Sequence, residues 1–254
     1  MIKITHPVTI KTKKEIKLMQ EGGRLLFLVK KALKKLIQEG HSAWDIETEA
    51  VKLINKKEAQ ASFKFVPGYS WATCVNVNEG VVHGIPHKSI VFKKKDLISV
   101  DLGLFYKGFH TDSSFSLAVK PDTETSAFLD VGREALNKAI SEVKIGSKIY
   151  DISAAIESTL VKAGLSPIKA LVGHGIGRHL HEEPQIPCFV SGERKDSPTI
   201  REGMTLAIEV MYTAGSGNVK LGKDGWTIST ADGKIAALFE ETVAATKNGP
   251  LILT

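Results

Sequence analysis

The chain has 254 residues, 43% of them hydrophobic and 24% charged, with 22 Gly, 9 Pro and 2 Cys. That composition excludes a disordered chain and allows one large domain or two small ones, and no run approaches the ~18 apolar residues of a membrane helix. Thirty-four basic against 28 acidic residues leave a net charge of +6, too modest an excess, without interleaved aromatics, to imply a polyanion-binding surface. The lysines at Lys11–Lys17, Lys30–Lys35 and Lys93–Lys95 therefore read as solvated helix faces and a turn. The start, Met1–Glu15, carries lysines but no apolar stretch, so no signal peptide is expected. Cys74 and Cys188 form no CxxC pair, which argues against a disulfide framework or zinc finger and for a reducing cytoplasm.

In chain order, Ile16, Met19, Leu26, Val29, Leu33, Leu36 and Ile37 fall at helical spacings before Gly40. Ser42 with Asp45 three residues on predicts the capped start of a second helix, whose buried stripe is Ile46, Ala50, Leu53 and Ile54. After Pro67–Gly68 the period changes to two, predicting strands at Cys74–Asn78, Leu97–Phe105 and Phe115–Val119. Phe128, Val131, Ala135 and Ala139 mark a further helix that ends near Gly146.

The second half then echoes the first. Gly40 is followed by Trp44–Asp45–Ile46, and Gly146 by Tyr150–Asp151–Ile152 at the same offsets. His83–Gly84–Ile85 returns as His174–Gly175–Ile176, and the acidic strand ending in Asp101 returns as the one ending in Glu209. With the helix that precedes each glycine, these make four echoes in the same order and predict a pseudo-twofold architecture whose halves share one site. One domain over 1–254 is expected, with half-repeats of about 12–120 and 124–246.

Asp101, Asp112, Glu209 and Glu240 all sit in runs that read as buried strand. An ionised carboxylate buried without a partner is prohibitive, so four in matched positions point to divalent metal. Their charge exceeds what one ion needs, and two ions ~3.5–4 Å apart fit the count better. His174, His179 and His181 lie within eight residues of a glycine-rich segment, where each can face metal or substrate.

The runs Asn78–Pro86 (NEGVVHGIP), His174–Arg178 (HGIGR), His181–Pro184 (HEEP), Gly203–Thr205 (GMT) and Lys223–Thr227 (KDGWT) resemble those of the methionine aminopeptidases, in the shorter type I form. The resemblance implies an α+β pita-bread fold with two pseudo-twofold-related halves, antiparallel strands covered by helices. It implies two divalent ions (Co, Mn, Fe or Zn) on Asp101, Asp112, His174, Glu209 and Glu240, with Asp112 and Glu240 bridging. It further implies removal of N-terminal methionine by metal-hydroxide attack on the first peptide bond. Glu209 would move the proton, His181 would donate to the oxyanion, and His83 would assist the departing amide. Tyr69, Cys74 and Trp226, with His83 and His181, would bind substrate, and His179 would be structural.

Implied partners are protein N-termini beginning with Met and the ribosome; a cytoplasmic monomer with no membrane association is expected. Phe63, Val66, Leu180 and Val210 depart from the residues usual in that family. Glu240 and Glu241 must face opposite sides of their strand, and the resemblance selects Glu240, so Glu241 is expected to matter little to metal. The competing readings are a proline-specific aminopeptidase or dipeptidase of the same fold and a non-catalytic binding module. The first carries an extra N-terminal domain, whereas only about eighty residues precede His83; the second would have lost metal ligands.

Overall fold

The computed structural model describes residues 6–254; the first five residues of the lysine-bearing start lie outside the described residues. Helix α1 (Lys13–Leu33) begins at Thr12, whose hydroxyl accepts from Glu15 N while the Glu15 carboxylate accepts from Thr12 N at 2.8 Å. Helix α2 (Ala43–Asn55) starts at Ser42 with the same reciprocal pair to Asp45, as its sequence predicts. Strands β1 (Gln60–Ala61), β2 (Thr73–Val77), β3 (Gly80–Val82), β4 (Leu97–Tyr106) and β5 (Phe109–Ala118) follow.

β4 and β5 form one hairpin closed by Lys107–Gly108, both at positive φ (47° and 88°), the tight turn that matches strand twist. β5 therefore starts six residues before the predicted Phe115. The polar run His110–Ser114 shows no apolar alternation because both faces are covered, one by helix and one by the site.

In the second half come α3 (Thr123–Ser141), α4 (Ile149–Lys162), β6 (Ser166–Pro167), β7 (Val172–Gly175) and β8 (Glu182–Pro187). They are followed by β9 (Thr205–Thr213), β10 (Val219–Leu221), β11 (Ile228–Thr230), β12 (Ala236–Thr246) and β13 (Gly249–Ile252). One sheet runs β1-β4-β5-β12-β9-β7-β8, with β2, β6 and β13 paired at its sides; β10, β11 and β3 make a small second sheet. The fold is the α+β pita-bread architecture, with antiparallel strands under helices. α1 packs on β4 and β5, α3 on β9 and β12, and α2 and α4 lie against α1 and α3.

Alternation sorts the long strands into two faces. Val100, Leu102 and Phe115 face α1, and Ile208, Val210 and Val243 face α3, in two buried apolar clusters. Val210, one of the departures, thus fills helix-side core. Two lysines read as parts of solvated faces are instead buried: Lys11 pairs with Glu182 at 2.5 Å and Lys30 with Glu241 at 2.7 Å. Helical periodicity cannot reveal a cation whose partner lies on a distant strand. No helix among the described residues is long and apolar enough to cross a membrane.

Candidate active site

Strand register aligns the acids on the face away from the helices. Cys74 is opposite Asp101, Asp101 opposite Ser114, Ser114 opposite Glu240, and Glu240 opposite Glu209, a single row across β2, β4, β5, β12 and β9. Residues directly opposite one another share a face, and like charges in that relation repel. Asp112 lies two positions from Ser114 on the same side, and His174 on β7 is opposite Ala207, two positions before Glu209. One ligand atom each from Asp112, His174 and Glu240 lie within 4.8 Å of one another. His174 Nε2 stands 3.5 Å from Glu209 Oε1.

Burial pushes all four carboxyls up, Asp101 to about 7 and Asp112, Glu209 and Glu240 well above the carboxylate range, with mutual repulsion adding to the last three. Asp101 Oδ1 and Glu240 Oε1 are buried with no hydrogen-bond partner, as is the Ser114 hydroxyl between them in the row. Glu47 makes the contrast. It is equally buried in α2, but its carboxylate accepts from Ala72 N, Thr73 N and Thr73 Oγ1 at 2.7–3.0 Å. Orphaned oxygens beside a bare imidazole nitrogen are the donor set a divalent cation completes.

The imidazole orientation supports the same reading. His174 Nδ1 lies 2.8 Å from the Gly175 carbonyl, which can only accept, so Nδ1 carries the proton and Nε2 turns a lone pair to the carboxylates. Burial lowers His174 and His83 to about 4, and lowers His181, beside His174 and His83, to about 2, so all three are neutral near pH 7. His181 packs edge-on against His174 with ring centroids 4.6 Å apart. His83 sits at φ +58°, a strained conformation for a residue with a Cβ. The next residue is fixed by Gly84 N donating to Asn76 Oδ1 at 3.0 Å and Val75 N donating to the Gly84 carbonyl at 2.8 Å, an approach so close that a side chain at Gly84 would collide with the Val75 carbonyl. His179 stacks on His6 at 3.6 Å, outside the acid row.

The ten predicted site residues, His83, Asp101, Asp112, His174, His181, Glu209, Glu240, Tyr69, Cys74 and Trp226, all line one cleft of about 500 Å³. Its apolar end is built by Phe63, Val66, Leu180 and the Tyr69–Trp226 edge-to-face pair at 5.0 Å. The Tyr69 hydroxyl donates to the Thr73 carbonyl at 2.9 Å, leaving the ring itself as wall. Burial, with Asp101 nearby, raises the Cys74 thiol well above its usual range, so it is a neutral packing group and no nucleophile.

Three supporting features escaped the sequence reading. Ser114 stands in the acid row, yet a serine in a strand carries no charge to flag it. Lys11 reaches Glu182, whose other oxygen accepts from His179 N at 3.2 Å and so ties down the loop bearing His181. Lys30, Ser113 and Glu241 meet behind the row.

A model of metallopeptidase family M24 matches residues 17–247 of the chain. Methionine aminopeptidase 1 of Bacillus subtilis is 41% identical over 97% of this chain and 99% of its own length, and methionine aminopeptidase of Aquifex aeolicus is 37% identical over 97% and 98%. The crystal structure of methionine aminopeptidase from Thermotoga maritima superposes with a TM-score of 0.94 at 41% identity, covering 97% of this chain and 99% of that one. Prolidase from Pyrococcus furiosus superposes at 0.77 with 21% identity over 96% of this chain and 65% of its own, a likeness of fold.

Proposed function

Because the chain belongs to metallopeptidase family M24, among its methionine aminopeptidases, we propose that the acid row and His174 hold the divalent metal of this hydrolase. The enzyme is a metallo-exopeptidase that removes N-terminal methionine. The observation that carries the site assignment is the row itself: buried carboxylates with unpartnered oxygens, facing the bare Nε2 of His174. Asp101, Asp112, His174, Glu209 and Glu240 would hold two ions, with Asp112 and Glu240 between them. Oxygen-rich donors suit Mn or Fe, and the imidazole equally admits Co or Zn. When bound, such ions polarise the scissile carbonyl and lower the pKa of water.

The chain's own groups do the rest. Glu209 at the end of the row takes the proton of the attacking water and returns it to the leaving amine. His181, neutral at pH 7, donates to the oxygen on which negative charge develops. His83, fixed by its strained backbone at the cleft, contacts the amide nitrogen of the second residue. The cleft's aromatic end takes the unbranched thioether, which packs well against rings. A methionine side chain in that end places its own amine and carbonyl at the acid row, which restricts cleavage to the first bond.

We read the enzyme as a cytoplasmic monomer acting on newly made chains, with the ribosome as a partner. The test offers Met-Ala-Ser and Ala-Pro peptides to metal-stripped protein supplemented in turn with Mn, Fe, Co and Zn. Release of free methionine alone supports the reading; cleavage of Ala-Pro, or no cleavage with any ion, removes it.

A further inference from the structure

The acid row crosses a weak place in the sheet. β4 and β5 pair over ten registered positions and β9 and β12 over nine, but β5 and β12, which join the two halves, register only at Ser114–Glu240 and Ser113–Glu241. Beyond those two pairs, side-chain hydroxyls bridge the strands. Thr242 accepts from Asp112 N and donates to Asp112 O at 2.9 and 2.8 Å, and Ser116 does the same for Leu238 N and O at 3.0 and 2.8 Å. Asp112 and Glu240 stand on opposite banks of this seam, so its width sets their separation.

At its centre the seam is fixed from the helix side by charge. Lys30, 3% exposed on α1, places Nζ 2.7 and 2.8 Å from the two Glu241 oxygens and 2.6 Å from the Ser113 hydroxyl. Ser113 Oγ lies 2.9 Å from both the Glu240 carbonyl oxygen and Glu241 Oε2, and Ser113 N donates to Asp112 Oδ1 at 3.0 Å. The Thr254 hydroxyl donates to Glu241 Oε2 at 2.6 Å and accepts from Thr242 N at 3.0 Å, closing the network on β12.

We propose that Lys30 is a positioning residue for the metal site: with Glu241 it clamps the Ser113 hydroxyl across the seam and so holds Asp112 and Glu240 at metal-binding separation. A buried cation among Leu26, Val29 and Leu33 in a helix's apolar stripe costs desolvation that an apolar side chain would not, which gives the pair a reason other than stability. Residues that orient metal ligands typically change metal affinity ~10–100-fold when removed. Glu241 thereby gains the role that the sequence denied it.

The proposal rests on the ligand assignment above, and the experiment separates the two. Mn²⁺ is titrated calorimetrically into metal-stripped wild type, Lys30→Met, Glu241→Gln, Ser113→Ala and Glu240→Gln, with folding checked by circular dichroism. A clamp predicts that the first three variants all bind Mn²⁺ at least ~10-fold more weakly, although they change the charge by −1, +1 and 0. An effect of charge alone would tighten binding in Lys30→Met, weaken it in Glu241→Gln and leave Ser113→Ala unchanged; that pattern overturns the clamp. So does wild-type affinity in all three with only the melting temperature lowered. If Lys30→Met fails to fold, Ser113→Ala, which buries no new charge, decides by itself. Wild-type affinity in Glu240→Gln overturns the ligand assignment and the clamp with it; loss there beside intact affinity in Ser113→Ala overturns the clamp alone.

Discussion

Glu240 and Glu241 are neighbours on one strand, and the two sides of the sheet treat them oppositely. On the helix side, Glu241 is met by Lys30, Ser113 and Thr254, so its charge is answered within the protein. On the other side, Glu240 faces Asp112, Glu209 and Asp101, is pushed well above the carboxylate range by burial and by those neighbours, and has an oxygen with no partner. The difference teaches that burial of an acid is no signal by itself. What marks a metal site is burial with neither an internal cation nor enough hydrogen-bond donors, since only an external cation can then balance the charge.

The sharpest break is Glu240→Gln. It should lose at least one metal equivalent by elemental analysis, and turnover should fall beyond the ~10–100-fold typical of groups that merely support a ligand. Wild-type metal content in that variant would mean that Glu240 is not a ligand. Next come the repeat mates His83 and His174. His83→Ala should lower kcat by roughly 10²–10⁴-fold with metal content intact, as for a lost proton donor. His174→Ala should lose metal first; the reverse pattern would exchange their roles.

A strong chelator should abolish activity and leave the far-UV dichroism in place, because a sizeable core stands behind the strands. The stripped protein should then show a definite pH response. Raised carboxyl values mean that the folded chain keeps protons the unfolded chain has released, so stability falls as pH rises above about 4. The lowered imidazoles of His83, His110, His174 and His181 act in the other direction, but only below the 6.5 at which unfolded histidine gives up its proton. Above 6.5 the carboxyls set the sign, and toward 8.5 the buried thiols of Cys74 and Cys188, also raised, act in the same direction. The melting temperature of stripped protein should therefore drop by several degrees from pH 6.5 to about 8.5, and added Mn²⁺ should reverse the drop. A flat or rising profile would show that the acids are already balanced.

The smallest effect is expected at the other end of the row. Cys74→Ala removes a neutral thiol from the pocket wall and should change kcat/KM by about 10-fold, the low end of the ~10–200-fold (~1–3 kcal/mol) that a methylene-scale change in an apolar pocket is worth. Inactivation of the wild type by a thiol reagent at a rate that tracks turnover would contradict that assignment.

The sequence alone determined the helix starts at Ser42 and the acids Asp101, Asp112, Glu209 and Glu240. A cap is a local hydrogen-bond pattern, and a carboxylate in an apolar strand is anomalous wherever the strand lies. The two echoing His-Gly-Ile runs likewise point to a shared site, and His83 and His174 line one cleft. Only the tertiary structure decided which lysines are solvated, where β5 begins and what Glu241 pairs with. Lys30 and Glu241 are 211 residues apart, and their pairing exists only because α1 lies across the seam between β5 and β12. Helical period places Lys30 on a helix and strand period turns Glu241 away from the acids, but neither period carries the distance between two elements.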